Sequence, residues 1–143
     1  MTLSIREVKE EDLELMMAWR STPAVYCGFI KQRRPLTWEE HYNWWKKRKY
    51  RKDWIICLDG RSIGVVALSE LCYVPSINIY IGETTLWGQG LGRQALALAL
   101  SETKGKVRAY ILNENKGSQR MFESIGFRKA FECEPNEWIY EIL

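Results

Sequence analysis

The sequence has little of what marks a disulfide-rich, metal-binding or membrane-spanning protein. Its four cysteines are scattered without C-x-x-C spacing, so neither a disulfide framework nor a zinc site is expected, and Cys57 is predicted to be a buried apolar side chain. No apolar run approaches the roughly 18 residues that a bilayer span needs. The N-terminal segment is polar and charged rather than an apolar leader. We therefore expect a reduced, cytoplasmic protein without a metal or a membrane partner.

Neither sign of charge is in large excess. The 143 residues carry a formal net charge of +3, which suits an anionic ligand such as a nucleotide cofactor but is too small to indicate nucleic-acid binding. A chain of this length fits a single domain over residues 1–143 with a sizeable core. Tryptophan, by contrast, is abundant: seven are more than one small core holds, so several are expected in a groove or an interface.

Hydrophobic periodicity predicts a mixed α/β (α+β) sheet with seven strands and four helices. The strands are predicted over residues 3–8, 54–58, 63–68, 76–82, 107–112, 127–133 and 138–143. The helices are predicted over residues 9–20, 38–52, 93–103 and 118–125. A capping box, Thr37 to Glu40, marks the start of the second helix. Pro23 is expected to end the first helix, which leaves residues 21–36 as a loop or a broken helix.

The most informative segment is Trp87-Gly-Gln-Gly-Leu-Gly92, which lies between a strand and a helix and is called the glycine turn below. The first N–H groups of a helix are unpaired and carry partial positive charge, and glycines let several of them converge on one anion. A diphosphate fits this arrangement, and Arg93 adds a cation beside it. The turn is not a Walker loop, since no Lys-Ser/Thr follows Gly92, and its glycines do not have the G-x-G-x-x-G spacing.

A second segment runs from Asn115 to Phe127, and together with residues 79–82 and the glycine turn it resembles the GNAT N-acetyltransferase superfamily. The family's cofactor motif, Q/R-x-x-G-x-G/A, is matched at Gly90 and Gly92. Its later motif is matched at Asn115, Ser118, Phe122 and Gly126-Phe127. Two positions depart from the family: Trp87 replaces the usual Gln or Arg, and Phe122 replaces a Tyr that protonates the leaving thiolate in many members.

The resemblance implies a GNAT fold, with a mostly antiparallel central sheet of six to seven strands, splayed in the middle and flanked by about four helices. It also implies acetyl-CoA as the cofactor and direct transfer of the acetyl group to a primary amine, without a covalent enzyme intermediate. The cofactor-binding residues that it implies are Ile79, Ile81, Gly82, Trp87, Gly88, Gln89, Gly90, Leu91, Gly92, Arg93, Asn115, Ser118 and Phe122.

Direct transfer requires that the amine lose a proton and that a backbone N–H stabilise the thioester oxygen. The N–H of Ile81 or Gly82 is the expected oxyanion donor. Glu83, at the end of the strand, is the expected base, with a solvated loop carboxylate as the alternative interpretation. The other catalytic candidates are Tyr80 and Tyr110 as replacement acids and Asn115 as a ligand of the pantetheine arm or a water.

The N-terminal part is similar to the branch of the family that holds ribosomal-protein N-terminal acetyltransferases and UDP-aminosugar N-acetyltransferases. A nucleotide-linked amino sugar needs aromatic faces for its rings and cations for its diphosphate. The predicted acceptor residues are Tyr26, Phe29, Arg33, Trp38 and His41, with Lys31 and Arg34 as further cations. A protein N-terminus would instead need acids near the amine, so a small-molecule amine is the favoured partner.

Other interpretations stay open. His41 is the alternative base on this segment, although a packing or surface role is commoner for such a histidine. Phe122 motivates a function of another class, a catalytically inactive acyl-CoA-binding regulatory module, which thiol release with a panel of amines would separate from an enzyme. The edge strands near residues 127–143 make a homodimer an expectation to test.

Overall fold

Alternating apolar residues and capped amphipathic segments fold into seven strands and five helices within residues 2–143, which the computed structural model of the chain describes. The strands are β1 (Leu3–Glu7), β2 (Arg51–Leu58), β3 (Arg61–Ser69), β4 (Ser76–Ile81), β5 (Val107–Leu112), β6 (Arg128–Glu134) and β7 (Glu137–Ile142). The helices are α1 (Leu13–Arg20), α2 (Pro23–Tyr26), α3 (Trp38–Lys47), α4 (Leu91–Leu100) and α5 (Lys116–Ser124). Across these residues, no helix combines the length and the apolarity that crossing a bilayer requires.

The strands form one mixed sheet in the order β1-β2-β3-β4-β5-β7-β6, antiparallel except between β4 and β5. These two parallel strands pair at one position, Ser76 with Arg108, near their amino ends. Beyond that pair they separate, which confirms the predicted splay. The carboxyl ends of parallel strands are where ligands bind in open α/β sheets, so the topology alone places a site at this gap.

The period of two along each strand divides the core between the two faces of the sheet. Trp54 and Ile56 face α4 and α5, in a core that includes Leu96 and Phe122. Ile55 and Cys57 face the opposite side, where Leu13, Met16 and Trp19 of α1 pack with tryptophans of α3. Cys57 is buried, as predicted.

The structure differs from the predicted elements in three places that bear on the site. The helix α4 begins at Leu91, inside the glycine turn, rather than near residue 93, and ends at Leu100 rather than near residue 103. Pro23 does end the first helix, at Arg20, but it also begins the additional short helix α2, because the first turn of a helix does not use the N–H that proline lacks. The second strand begins at Arg51 rather than at residue 54, and α3 ends at Lys47 rather than near Lys52. Charged residues can enter this strand because Arg51 forms an ion pair with Asp53 inside it.

Candidate active site

A cleft of about 1190 Å³ occupies the gap between β4 and β5 and continues beneath α1–α3 on the other face of the sheet. Its walls come from α1, α2, β4, the glycine turn, β5 and α5. Most of the predicted cofactor residues line it: Ile79, Ile81, Trp87, Gly88, Gly90, Leu91, Gly92, Arg93, Asn115, Ser118 and Phe122. Gly82 and Gln89 do not line it.

The N-terminus of α4 opens into this cleft. Gly90 is the N-cap residue, with φ 76 and ψ 11 in the left-handed region, and no side chain caps the helix. The first helical bond is donated by the Gln94 N–H to the Gly90 carbonyl, so the N–H groups of Leu91, Gly92 and Arg93 have no carbonyl within the helix. These three amides lie where the sequence predicts an anion site.

The edge of β4 supplies a second set of free backbone groups. The Gly82 N–H donates to the Ile63 carbonyl at 2.8 Å, so it is paired with β3 and is not the free oxyanion donor that was expected. Pairs of opposite residues alternate in an antiparallel ladder, so Ile79 and Ile81 turn their N–H and carbonyl groups away from β3 and toward the gap. The Ile81 N–H therefore remains the candidate oxyanion donor.

The indole of Trp87 ties the glycine turn to this edge. Its Nε1 donates to the Ile81 carbonyl at 2.8 Å, and half of the side chain is exposed in the cleft. The tryptophan that replaces the usual Gln or Arg of the family motif thus fixes the turn against β4. This bond leaves the amides of α4 unobstructed.

The later motif closes the cleft on the β5 side. Asn115 caps α5, with its Oδ1 accepting from the Ser118 N–H at 3.2 Å. Phe122 is buried against Phe127, with ring centroids 5.0 Å apart at 81°. Tyr110 is 41% exposed and lines the cleft from β5, so among the two tyrosine candidates it is the more accessible hydroxyl.

Glu83 lies just outside the cleft lining and is held by two partners. Its carboxylate accepts from Trp19 Nε1 at 2.8 Å and forms an ion pair with Arg61 at 2.6 Å. The Trp19 hydrogen bond, together with Arg61, lowers the pKa of the Glu83 carboxyl. A carboxylate stabilised in this way is a weak base, so the geometry favours a positioning role over the expected proton transfer.

The acceptor residues expected on the N-terminal segment separate in the structure. Phe29 lines the cleft, with its ring centroid 5.2 Å from that of Tyr80. Tyr26 does not line it, Trp38 stacks on Tyr42 at the outer surface of α3, and Arg33 donates to the Phe29 and Gln32 carbonyls. Only one of the five expected residues is therefore brought to the cleft.

His41 has no exposed surface and does not reach the cleft. Its Nε2 lies 2.9 Å from the Leu13 carbonyl and its Nδ1 lies 3.4 Å from Arg20 Nη1. Nε2 must donate to the carbonyl, which leaves Nδ1 to accept from the guanidinium. The imidazole is thus placed to orient Arg20 rather than to touch an acceptor or act as a base.

Burial, reinforced by the neighbouring Arg20, lowers the pKa of His41 below its usual value of 6.5. The unfolded chain therefore binds this proton at a higher pH than the folded chain. We expect this group to make the free energy of unfolding fall as the pH drops below about 6.5, and to leave it level above that pH. Thermal unfolding measured across this range tests it, because His41 is the one histidine of the chain. His41→Gln should flatten the slope, and an equal slope in both proteins would contradict the expectation.

Sequence reasoning missed the inner end of the cleft, called the arginine pocket below and formed by Arg20, Trp44, Arg51, Asp53 and Tyr80. Asp53 is 4% exposed, and its two carboxylate oxygens accept from Arg48 and Arg51 at 2.8–3.0 Å. The available signal was Asp53 itself, a charged residue directly before an apolar strand. Its alternation with Ile55 and Cys57 places it on the α1–α3 face.

A mixed sheet split between two parallel strands, with an uncapped helix start beside the split, defines the acyltransferase class of fold that the motifs predicted. The family model described as "Acetyltransferase (GNAT) domain" matches residues 2–128. The chain belongs to the GNAT acetyltransferase family.

Comparisons with single proteins give likenesses of sequence and of fold. An uncharacterised protein of Methanocaldococcus jannaschii is 46% identical over 147 residues, which cover 96% of this chain and 30% of that protein. A solved domain from Methanocaldococcus jannaschii DSM 2661 has a TM-score of 0.92 at 44% identity and covers 99% of this chain and 97% of its own. Spermidine N-acetyltransferase from Vibrio cholerae, solved with CoA and spermine, has a TM-score of 0.77 at 18% identity and covers 97% and 92%. At that identity the likeness is one of fold.

Proposed function

We propose that this chain is an acetyl-CoA-dependent N-acetyltransferase that moves an acetyl group directly to a primary amine. The observation that carries the proposal is the uncapped start of α4, which faces the free backbone edge of β4 across one cleft. Family membership and the CoA bound to the similar Vibrio cholerae fold support it. Release of free thiol from acetyl-CoA in the presence of primary amines tests it.

In this proposal the amides of Leu91, Gly92 and Arg93 bind the diphosphate of CoA, and the Arg93 and Arg120 side chains add positive charge at the same end of the cleft. The pantetheine arm follows the gap between the strands, where the N–H and carbonyl of Ile79 and the N–H of Ile81 are unpaired, while the Ile81 carbonyl accepts from Trp87. Its amides can pair with β4 as a further strand would. Asn115 approaches the arm from the other side of the gap.

In the proposed reaction, the neutral amine nitrogen attacks the thioester carbon. A C–N bond forms, the C–S bond breaks, and the electron pair leaves on sulfur. The Ile81 N–H stabilises the oxygen that gains negative charge. Tyr110 is the hydroxyl in the cleft that can give a proton to the thiolate, since Phe122 has none and the Tyr80 hydroxyl lies in the arginine pocket.

The amine proton needs an acceptor, and two carboxylates line the cleft within residues 2–143. Asp53 is bound by arginines, whereas Glu114, which follows β5, is exposed. We therefore assign proton removal to Glu114, through water. Glu114→Gln should lower kcat about a hundredfold, the usual contribution of a general base, with CoA affinity unchanged.

Glu83→Gln is the matched variant, since it makes the same change on the carboxylate that the sequence predicts to be the base. This variant should keep kcat within about threefold of the wild-type value, because an amide oxygen still accepts from Trp19. Loss of a general base would instead lower kcat at least about a hundredfold. Steady-state kinetics on both variants decide between the two carboxylates. A large loss of kcat in Glu83→Gln with none in Glu114→Gln would return the base to Glu83.

For the acceptor we retain a nucleotide-linked amino sugar as the specific candidate. Phe29 offers an aromatic face in the cleft and the arginine pocket offers positive charge, which suit a sugar and its phosphates. A protein N-terminus and an inactive regulatory module are the competing outcomes. Acetylation of peptides alone would identify a protein N-terminus as the acceptor. CoA binding without turnover on any amine would identify an inactive regulatory module.

A further inference from the structure

The arginine pocket holds a cation that no carboxylate of residues 2–143 pairs with. Arg20 takes part in none of the ion pairs, and the side-chain partner of its guanidinium is the neutral His41 ring, at 3.4 Å. Burial lowers the pKa of Arg20 from its usual value, which reports the cost of removing this charge from water. A half-buried guanidinium beside a cleft is stabilised when a bound anion replaces that water.

Trp44 holds two guanidinium groups in the same place. The central carbons of Arg20 and Arg51 each lie 5.3 Å from the centroid of its ring. Two cations are brought close to one another only if their repulsion is offset, and here Asp53 offsets part of it. Asp53 is also bound by Arg48, so two guanidinium groups already share this one carboxylate. With Arg20 beside them on Trp44, the pocket keeps an excess of positive charge.

The hydroxyl of Tyr80 is a further unpaired donor at this position. It is buried without a hydrogen-bond partner, and Arg20 and Asp53 are its charged neighbours. Burial also raises the pKa of Tyr80, so the phenol keeps its proton and can donate it in a hydrogen bond. A buried donor without a partner loses free energy that a bound oxygen atom would restore.

We propose that the acceptor amine belongs to a molecule that also carries an oxyanion, a carboxylate or a phosphate, and that Arg20 and Tyr80 bind this group while Arg51 supports it. The inference rests on the proposed function and narrows its substrate class. The pocket lies on the α1–α3 face, beyond the β4–β5 gap where the thioester reacts, so an oxyanion bound there leaves the amine directed toward the thioester. His41 and Trp44 act as positioning residues for Arg20.

Matched pairs of amines test the proposal. The probes are 2-aminoethyl phosphate with 2-aminoethanol and β-alanine with β-alanine amide, each scored by thiol release from acetyl-CoA. The wild-type protein should prefer the oxyanion member of at least one pair by about tenfold or more in kcat/KM, since hydrogen bonds to charged groups contribute that much. The preferred pair distinguishes phosphate from carboxylate.

Arg20→Gln should reduce that preference at least about fivefold by raising the KM of the oxyanion amine, with the KM of acetyl-CoA within about twofold. Arg20→Lys keeps the charge without the planar fork and should give an intermediate preference; it also serves if the glutamine variant does not fold. Arg128→Gln, an exposed change on the edge strand β6, is the control and should match the wild type.

A preference that persists in Arg20→Gln, or wild-type kinetics without any oxyanion preference, would overturn the proposal while leaving the transferase intact. If CoA binds and no amine turns over, the proposed function fails instead. Calorimetry with 2-aminoethyl phosphate and β-alanine then tests whether the arginine pocket binds an oxyanion. Binding to the wild type that Arg20→Gln abolishes supports the site, and no binding to the wild type overturns it.

Discussion

Replacing Gly90 with valine is expected to lower the affinity for CoA at least about a hundredfold. Gly90 has φ +76, a conformation that costs an L-residue roughly 1–2 kcal/mol and a β-branched residue more. Nothing lies within 4 Å of the position of an added Cβ, and Gly90 lines the cleft, so the valine side chain would point into the space of the diphosphate. Two lost charge-assisted hydrogen bonds account for such a decrease. Titration calorimetry with CoA measures it.

Gly105→Val is the matched control for strain. Gly105 lies beyond the opposite end of α4, has φ +84, and is likewise free of neighbours within 4 Å, but it does not line the cleft. Both variants should lose similar stability, and only Gly90→Val should lose CoA binding. Equal affinities in the two variants would mean that the glycine turn does not hold the cofactor.

Gly64→Ala is expected to destabilise the fold strongly. A Cβ at this position would lie 2.3 Å from the Tyr80 carbonyl oxygen and 2.9 Å from the Ile81 Cα, which are backbone atoms of the neighbouring strand and cannot rotate away. Overpacking against backbone costs about 3 kcal/mol, which lowers the unfolding midpoint by about 10 °C. Because β4 must shift, CoA affinity should fall as well.

Gly117→Ala makes the same chemical change in open space. No atom lies within 4 Å of its added Cβ, and its φ is not in the left-handed region, so alanine should raise the stability of α5 by about 0.5–1 kcal/mol. Thermal unfolding of the two variants should therefore give midpoint shifts of opposite sign. A midpoint for Gly64→Ala close to that of the wild type would show that β3 and β4 are less tightly packed than described.

The architecture was largely readable from local signals. Thr37 accepts from the Glu40 N–H at 3.2 Å while Glu40 accepts from the Thr37 N–H at 3.0 Å, which confirms the capping box. Asp59 and Gly60 both have positive φ, as the tight turn between β2 and β3 requires. Such features depend on residues close together in sequence, which is why the number of strands and their order along the chain could be predicted.

The cofactor side of the site was predictable for the same reason. The glycine turn and the Asn115 segment each occupy one continuous stretch, and the local conformation of each stretch presents its own functional groups. The pairing of the Gly82 N–H with Ile63 could not be read in this way, since it depends on the register between β3 and β4. That register pairs the Gly82 N–H and leaves the Ile81 N–H free for the proposed role of oxyanion donor.

The acceptor side depends on contacts between distant segments, and sequence reasoning was weakest there. Trp38 and His41 lie three residues apart on α3, yet one is 45% exposed and the other is fully buried. Which helical face packs inward was decided by α1, through the Leu13 carbonyl that His41 binds. Arg20, Trp44 and Arg51 belong to α1, α3 and β2, and only the folded chain shows that the two guanidinium groups meet at the Trp44 ring.

The central claim is that the cleft holds acetyl-CoA and passes its acetyl group to an amine without an enzyme-bound intermediate. Mass spectrometry of the protein and the small molecules, after incubation with acetyl-CoA and the panel of amines, tests it most directly. We predict one N-acetylated amine for each CoA released, no acetylated protein, and no product with Gly90→Val. CoA bound without any acetylated amine, or acetyl groups retained on the protein, would contradict the account.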